Sequence, residues 1–124
     1  WEASELAFLP EGSLSVLHGL GPQDKPLPGV RPVLISTEQI ARWKTAHGSG
    51  APCDVMVDTG MNRLGLGLAE LGALEGLNIH TLHSHLACAD EDHALNALQL
   101  DRFRQVRDAV PAEGYSLANS AAIF

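Results

Sequence analysis

Short apolar runs rich in Val, Ile and Leu recur along the chain with helix-like stretches between them, an alternation that predicts a parallel sheet with crossover helices. Five strands are expected, at Ser13 to Leu17, Pro32 to Ile35, Asp54 to Asp58, Ile79 to His83 and Tyr115 to Ala118. Each is short, as buried parallel strands usually are. Ser36-Thr37-Glu38-Gln39 sets a hydroxyl three residues before a Gln, the capping-box pattern of a helix start. The helix it opens should run from Thr37 to about Ala46 and stop at Gly48-Ser49-Gly50-Ala51-Pro52. The longest helix is expected from Ala94 to Val110, where Leu95, Leu98, Phe103, Val106 and Val110 recur near the 3.6-residue period and Pro111 marks the stop. Asp101, Arg104, Arg107 and Asp108 then form its solvated face. Between Leu64 and Leu77 a helix is weakened by Gly65, Gly67, Gly72 and Gly76. Gly21 to Arg31, with its prolines and glycines, is expected to be a loop.

Two architectures fit this alternation. An eight-stranded α/β barrel needs roughly 200 residues or more, so five strands in 124 residues would be an incomplete arc of one. An open doubly wound sheet is the competitor, and periodicity does not decide between them. The start at Trp1 without an initiator Met, and the stop inside Ala121-Ala122-Ile123-Phe124, read as cuts, which makes residues 1–124 a single incomplete segment of a larger domain. At 45% hydrophobic and 19% charged residues the chain has a globular balance. Its net charge of −7 repels phosphate backbones and anionic lipid, so neither nucleic acid nor a membrane surface is an expected partner. No apolar run has the length of a membrane span or the pattern of a signal peptide. Cys53 and Cys88 lie far apart and outside any CxxC, which indicates neither a disulfide framework nor a zinc knuckle and fits a reducing cytoplasm.

In either architecture, function gathers at the C-terminal ends of the strands. Three ends carry unusual polar residues: Val57 to Gly65 (VDTGMNRLG), His83 to Glu91 (HSHLACADE) and Ser116 to Ala121 (SLANSA). Arg63, a permanent cation just after a turn, suits a carboxylate, a phenol or a phenolate; the plainer reading pairs it with Asp58. Asp58 itself is readily explained as a turn residue holding Thr59 and Gly60. His83 and His85 share one face of a strand and could bind a metal together, as in barrel hydrolases, with Asp90, Glu91, Asp92 and His93 nearby. Against that reading, no later strand end adds the His or Asp such a site needs, and the acids also fit a helix N-terminus. Asn119-Ser120, before the small Ala121 and Ala122, describes either a phosphate site or an ordinary Ser N-cap. Gly65 to Gly72 lacks the glycine spacing of a dinucleotide fingerprint and the lysine of a P-loop. Trp43 and Met56 read as packing residues.

The three strand ends, in this order, resemble the alanine racemase family. VDTGMNRLGL at Val57 to Leu66 is similar to that family's DTGMxRxG signature, with support from Arg31 to Leu34, Glu38 to Ile40, His85 to Glu91 and Ala118 to Ala122. The resemblance covers nearly the whole chain. It implies an α/β barrel binding pyridoxal 5'-phosphate, of which this segment supplies about the third to seventh strands. The Schiff-base lysine, the eighth strand and a C-terminal β domain with its catalytic tyrosine would lie outside it, so that the fragment alone would not turn over. By the same resemblance Arg63 positions that tyrosine and helps hold the substrate carboxylate and a cofactor oxygen, His85 lies beside the cofactor ring, and Asn119 and Ser120 bind the phosphate. The implied reaction interconverts L- and D-alanine by proton removal from an external aldimine and return from the opposite face, in a cytoplasmic homodimer that supplies D-alanine for peptidoglycan. Family members usually place a lysine, often carbamylated, where this chain has Met56; another anion such as chloride then braces Arg63, or the arginine is held less tightly. A noncatalytic cofactor-binding barrel and a serine or broad-specificity racemase are the neighbouring readings.

Overall fold

The structure, a computed structural model, describes residues 5, 6, 8–10, 14–25, 27–48, 50–117 and 119–123. Ser13 and Ala118, expected at strand ends, and the terminal Trp1 and Phe124 lie outside the described residues. Five strands form one sheet: β1 (Leu14–Val16), β2 (Val30–Leu34), β3 (Pro52–Met56), β4 (Asn78–His83) and β5 (Gly114–Ser116). Each pairs in parallel with the next in sequence, giving the order β1-β2-β3-β4-β5. A doubly wound sheet must reverse its strand order to place helices on both faces. Here the order never reverses, and one apolar core joins alternate strand residues (Leu34, Cys53, Val55, Val57, Leu82) to Ile40, Trp43, Leu74, Phe103 and Val106 of the helical segments. The helices therefore share one face of the sheet, the arrangement of a barrel wall, and five strands are an arc of the eight that close such a barrel.

Local chemistry explains the elements. Helix α1 (Thr37–His47) begins at Ser36, whose Oγ accepts the Gln39 N–H at 3.3 Å. The expected capping box closes only halfway: Gln39 Oε1 accepts the Ile35 N–H at 3.0 Å, and its Nε2 donates to His18 O at 3.2 Å, tying the helix start to the loop after β1. Gly48, at φ 68, closes the helix with its N–H on Lys44 O at 2.9 Å. Helix α2 (Ala94–Ala109) ends where Pro111 requires. Its buried face, however, is Gln99, Phe103 and Val106, while Leu98 is 44% exposed. The true period starts one residue later than the apolar pattern suggests, because the buried position is filled by an amide. The glycine-weakened helix expected over 64–77 shrinks to a 3-10 helix, Leu68–Leu74, pinned to α1 by Lys44 Nζ on Ala73 O and Glu75 O at 2.9 and 2.6 Å. Arg31, expected at the end of a loop, is the second residue of β2.

The other face of the sheet would line the barrel interior. Val33, Asp54 and Met56 are buried there, alternating with the core residues of the helical face. Between β3 and β4 the register shifts, Cys53 facing Ile79 but Asp54 facing Thr81, so that His80 is an extra residue. This irregularity brings the Thr81 N–H onto Asp54 Oδ1 at 3.0 Å.

Candidate functional site

The C-terminal edge of the sheet is built from three loops that the chain ties together. After β3, residues 58–65 leave and return: Asp58 N–H donates to Leu66 O at 2.8 Å and Leu66 N–H to Met56 O at 2.9 Å. Two backbone positions make so tight an excursion feasible. Asn62 turns the chain at φ 55, a conformation Asn tolerates better than most residues. Gly65 takes φ 116, and a Cβ there would lie 2.9 Å from Met56 O and 3.0 Å from Asp58 N. Gly65→Ala should therefore destabilise the fold by about 1–3 kcal/mol, read as a lowered thermal midpoint. Gly72→Ala, with nothing within 4 Å of the added carbon, should shift it little; equal midpoints for the two variants would show the loop closure to be unconstrained.

Asp58 does not pair with Arg63. Its Oδ1 accepts the Gly60 N–H at 2.8 Å, shaping the turn. Arg63 is exposed and makes no hydrogen bond or ion pair among the described residues. Thr59, by contrast, is buried: its Oγ1 shares a hydrogen bond with Ser84 Oγ at 2.8 Å, linking the loop after β3 to the end of β4. His85 follows Ser84 and is half-buried, its backbone carbonyl accepting Gln99 Nε2 at 2.9 Å. Asn119, after β5, donates Nδ2 to Leu86 O at 3.4 Å and accepts the Ala122 N–H at 3.1 Å, while Ser120 is exposed at the start of a 3-10 turn, Ser120–Ile123. The loops bearing Arg63, His85 and Asn119-Ser120 thus meet along one rim.

Below the rim lies a polar cluster that sequence reasoning missed. The Asp54 side chain, 1% exposed, receives Arg31 Nε at 3.2 Å, the Ser15 hydroxyl and the Thr81 N–H. His80 Nδ1 and His83 Nε2 stand 3.7 and 3.9 Å away, and His83 Nε2 is buried without a hydrogen-bond partner among the described residues. Burial alone would raise the Asp54 carboxyl, but His83, the Ser15 hydroxyl and the Arg31 guanidinium outweigh it and hold the group at about 2. Beside it, Cys53 is pushed up to about 12 by burial and by the Asp54 charge, which leaves its thiol protonated and inert.

The paired-histidine metal reading finds no support in this geometry. His83 is turned to Asp54, and among the described residues no group of three or more His, Cys, Asp or Glu side chains could hold an ion. The acids Asp90, Glu91 and Asp92 precede α2 without entering its first turn, and the helix is capped by His93, whose Nδ1 accepts the Leu95 N–H at 3.0 Å. Met56 is buried on the inner face as the register partner of His83. For an anionic, ring-bearing cofactor the donor set at the rim is suitable: an unengaged guanidinium, a half-buried imidazole and an exposed hydroxyl beside an amide.

Comparison with known proteins agrees with this architecture. The structure superposes on the alanine racemase from Bartonella henselae with covalently bound pyridoxal phosphate at a TM-score of 0.86 and 34% identity, covering 99% of this chain and 40% of that one. The alanine racemase from Acinetobacter baumannii follows at 0.76 and 28%, with the same coverage. Among curated relatives, the catabolic alanine racemase of Agrobacterium fabrum is 39% identical over 98% of this chain and 35% of its own length. The alanine racemase of Methylobacterium nodulans is 42% identical over 95% and 35%. The chain thus spans about a third of the length of these curated relatives. Residues 2–124 match the family described as alanine racemase, N-terminal domain, and the chain belongs to that family.

Proposed function

We propose that this chain is an incomplete segment of the barrel domain of a pyridoxal-phosphate-dependent alanine racemase. The observation that carries the reading is the meeting of the DTGMNR loop, the His85 loop and the Asn119-Ser120 segment along one rim of a parallel barrel arc, with Arg63 left unengaged among the described residues. In this reading Asn119 and Ser120 hold the cofactor phosphate and His85 lies beside its ring. When bound, pyridoxal phosphate supplies an electron sink that lowers the cost of removing a proton from the substrate α-carbon. Arg63 then binds the alanine carboxylate with its planar fork and orients a proton-transfer group supplied by parts of the protein beyond this segment. The turn made by Asp58 and Gly60 fixes where that guanidinium starts, and the buried Thr59 anchors the turn. Two opposed bases, both outside residues 1–124, complete the exchange of configuration.

The finer expectations belong to the same reading: a homodimer, since the second base would come from a C-terminal β domain across an interface; a cytoplasmic setting; and supply of D-alanine for peptidoglycan. Two relatives are named catabolic, so breakdown of alanine stands beside supply of D-alanine as a role for the whole protein. No helix among the described residues is long and apolar enough to cross a membrane. The test uses the full-length protein that carries this segment, supplied with pyridoxal phosphate. It should show the absorbance of an enzyme-bound cofactor and interconvert L- and D-alanine in a chiral chromatographic assay. Cofactor binding without turnover would instead identify a noncatalytic barrel, and faster turnover of serine would move the substrate.

A further inference from the structure

Helix α2 lies on the outer face of the sheet, with Phe103 and Val106 in its apolar core. One residue on that face breaks the pattern. Gln99 is fully buried, four residues before Phe103, on a face whose other buried positions are apolar. A buried amide costs roughly 1–3 kcal/mol unless its groups are bonded, and here all of them are. Oε1 accepts the Ala87 N–H at 2.9 Å; Nε2 donates to His85 O at 2.9 Å and to Thr59 Oγ1 at 3.3 Å. Thr59 Oγ1 continues the chain to Ser84 Oγ at 2.8 Å. Three residues along the same helix, Arg102 Nη1 donates to Thr59 O at 3.0 Å. One helix face therefore grips the loop after β3 at Thr59, four residues before Arg63, and the loop after β4 at His85 itself and at Ala87.

We infer that Gln99 is a positioning residue, whose amide fixes the Arg63 loop against the His85 loop and so sets the spacing of these two groups at the rim from outside the barrel. The inference rests on the proposed racemase reading and adds to it a residue that touches neither substrate nor cofactor. Hydrogen bonds suit this task better than apolar contact because they are directional: a methyl group would fill the space but would let either loop slide. Loss of the amide should displace the rim groups by a fraction of an ångström to an ångström, an error that can cost up to about a hundredfold in rate.

The test is made in the full-length protein. Gln99→Met, similar in length but without donors or acceptors, should lower kcat for alanine by about 10- to 100-fold, retain cofactor, and alter the visible circular dichroism of the bound cofactor. Thr59→Val should do the same more weakly, and Thr59→Ser, which keeps the hydroxyl, should recover most of what Thr59→Val loses. Should Gln99→Met fail to fold, the Thr59 pair decides. A purely structural glutamine would lower the unfolding temperature while leaving kcat and the visible spectrum of the folded protein unchanged, and that result overturns the inference. Amide hydrogen exchange separates this failure from failure of the racemase reading. If the wild-type protein does not racemise alanine, the clamp is still judged by Ala87, whose N–H should lose protection in Gln99→Met; unchanged protection overturns it.

Discussion

Asp54→Asn in the full-length protein should lower the free energy of unfolding by about 3–5 kcal/mol at neutral pH, the cost of breaking a buried ion pair. The Asp54 carboxylate accepts from Arg31 Nε, the Ser15 hydroxyl and the Thr81 N–H and is 1% exposed, so water cannot replace what the substitution removes. An amide offers these donors one oxygen in place of two and turns its own NH2 toward them. The cost also depends on pH, in a direction fixed by the carboxyl. Held at about 2 in the folded state against 3.8 ordinarily, it favours folding above pH ~4, and that contribution fades as pH falls from ~4 toward 2. The interval of nearly two units corresponds to a stabilisation on the order of 2 kcal/mol. Urea titrations of cofactor-free protein at pH 7 and pH 3 should therefore show a wild-type advantage that narrows at the lower pH. A gap under about 1 kcal/mol, or one equal at both pH values, would mean that the cluster is solvated and contributes little.

That such a hub escaped the sequence reading has a physical reason. In Pro52–Met56 the carboxylate stands between Cys53 and Val55, and a charged residue at the edge of an apolar run looks like a strand boundary, which is where the expected strand, Asp54 to Asp58, begins. The structure places Asp54 in the middle of β3, because Arg31 and Ser15 reach it from β2 and β1, partners 23 and 39 residues away that no local pattern connects. Arg31 likewise leaves its expected loop through a nonlocal contact, its parallel pairing with Ser15 of β1. Gln99 was missed for a related reason: periodicity weighs Leu98 as core and an amide as surface, whereas the backbone groups of His85 and Ala87 make the amide the better buried residue. What local sequence did carry was the alternation of elements, the Ser36 cap, the glycine stop of α1 and the clustering of polar residues at strand ends. The first three follow from backbone hydrogen bonding within a few residues, and the last from the geometry of parallel sheets. Strand order, which separates a barrel arc from a doubly wound sheet, is wholly nonlocal and came only from the pairing of β1 through β5.

On the proposed racemase reading, Arg63→Ala should reduce kcat of the full-length protein by about 10²–10³-fold, the range seen when one preorganised donor is removed from a reacting centre. Stability should change by less than about 0.5 kcal/mol, because the side chain is exposed and bonds to nothing among the described residues. This contrast is what distinguishes Arg63 from Asp54: one guanidinium, Arg31, is committed to the buried carboxylate, while the other is presented at the rim with its donors unengaged among the described residues. Cofactor affinity, followed by titrating pyridoxal phosphate into the apoprotein, should stay within a few-fold of wild type, since the proposed reading gives the phosphate to Asn119 and Ser120 rather than to Arg63. Arg63→Lys should fall between wild type and Arg63→Ala, keeping the charge but not the planar fork that grips a carboxylate in two places. Full activity in Arg63→Ala would remove the arginine from the reaction. Loss of cofactor in proportion to loss of turnover would reassign it to the cofactor, and the substrate carboxylate would then need another partner.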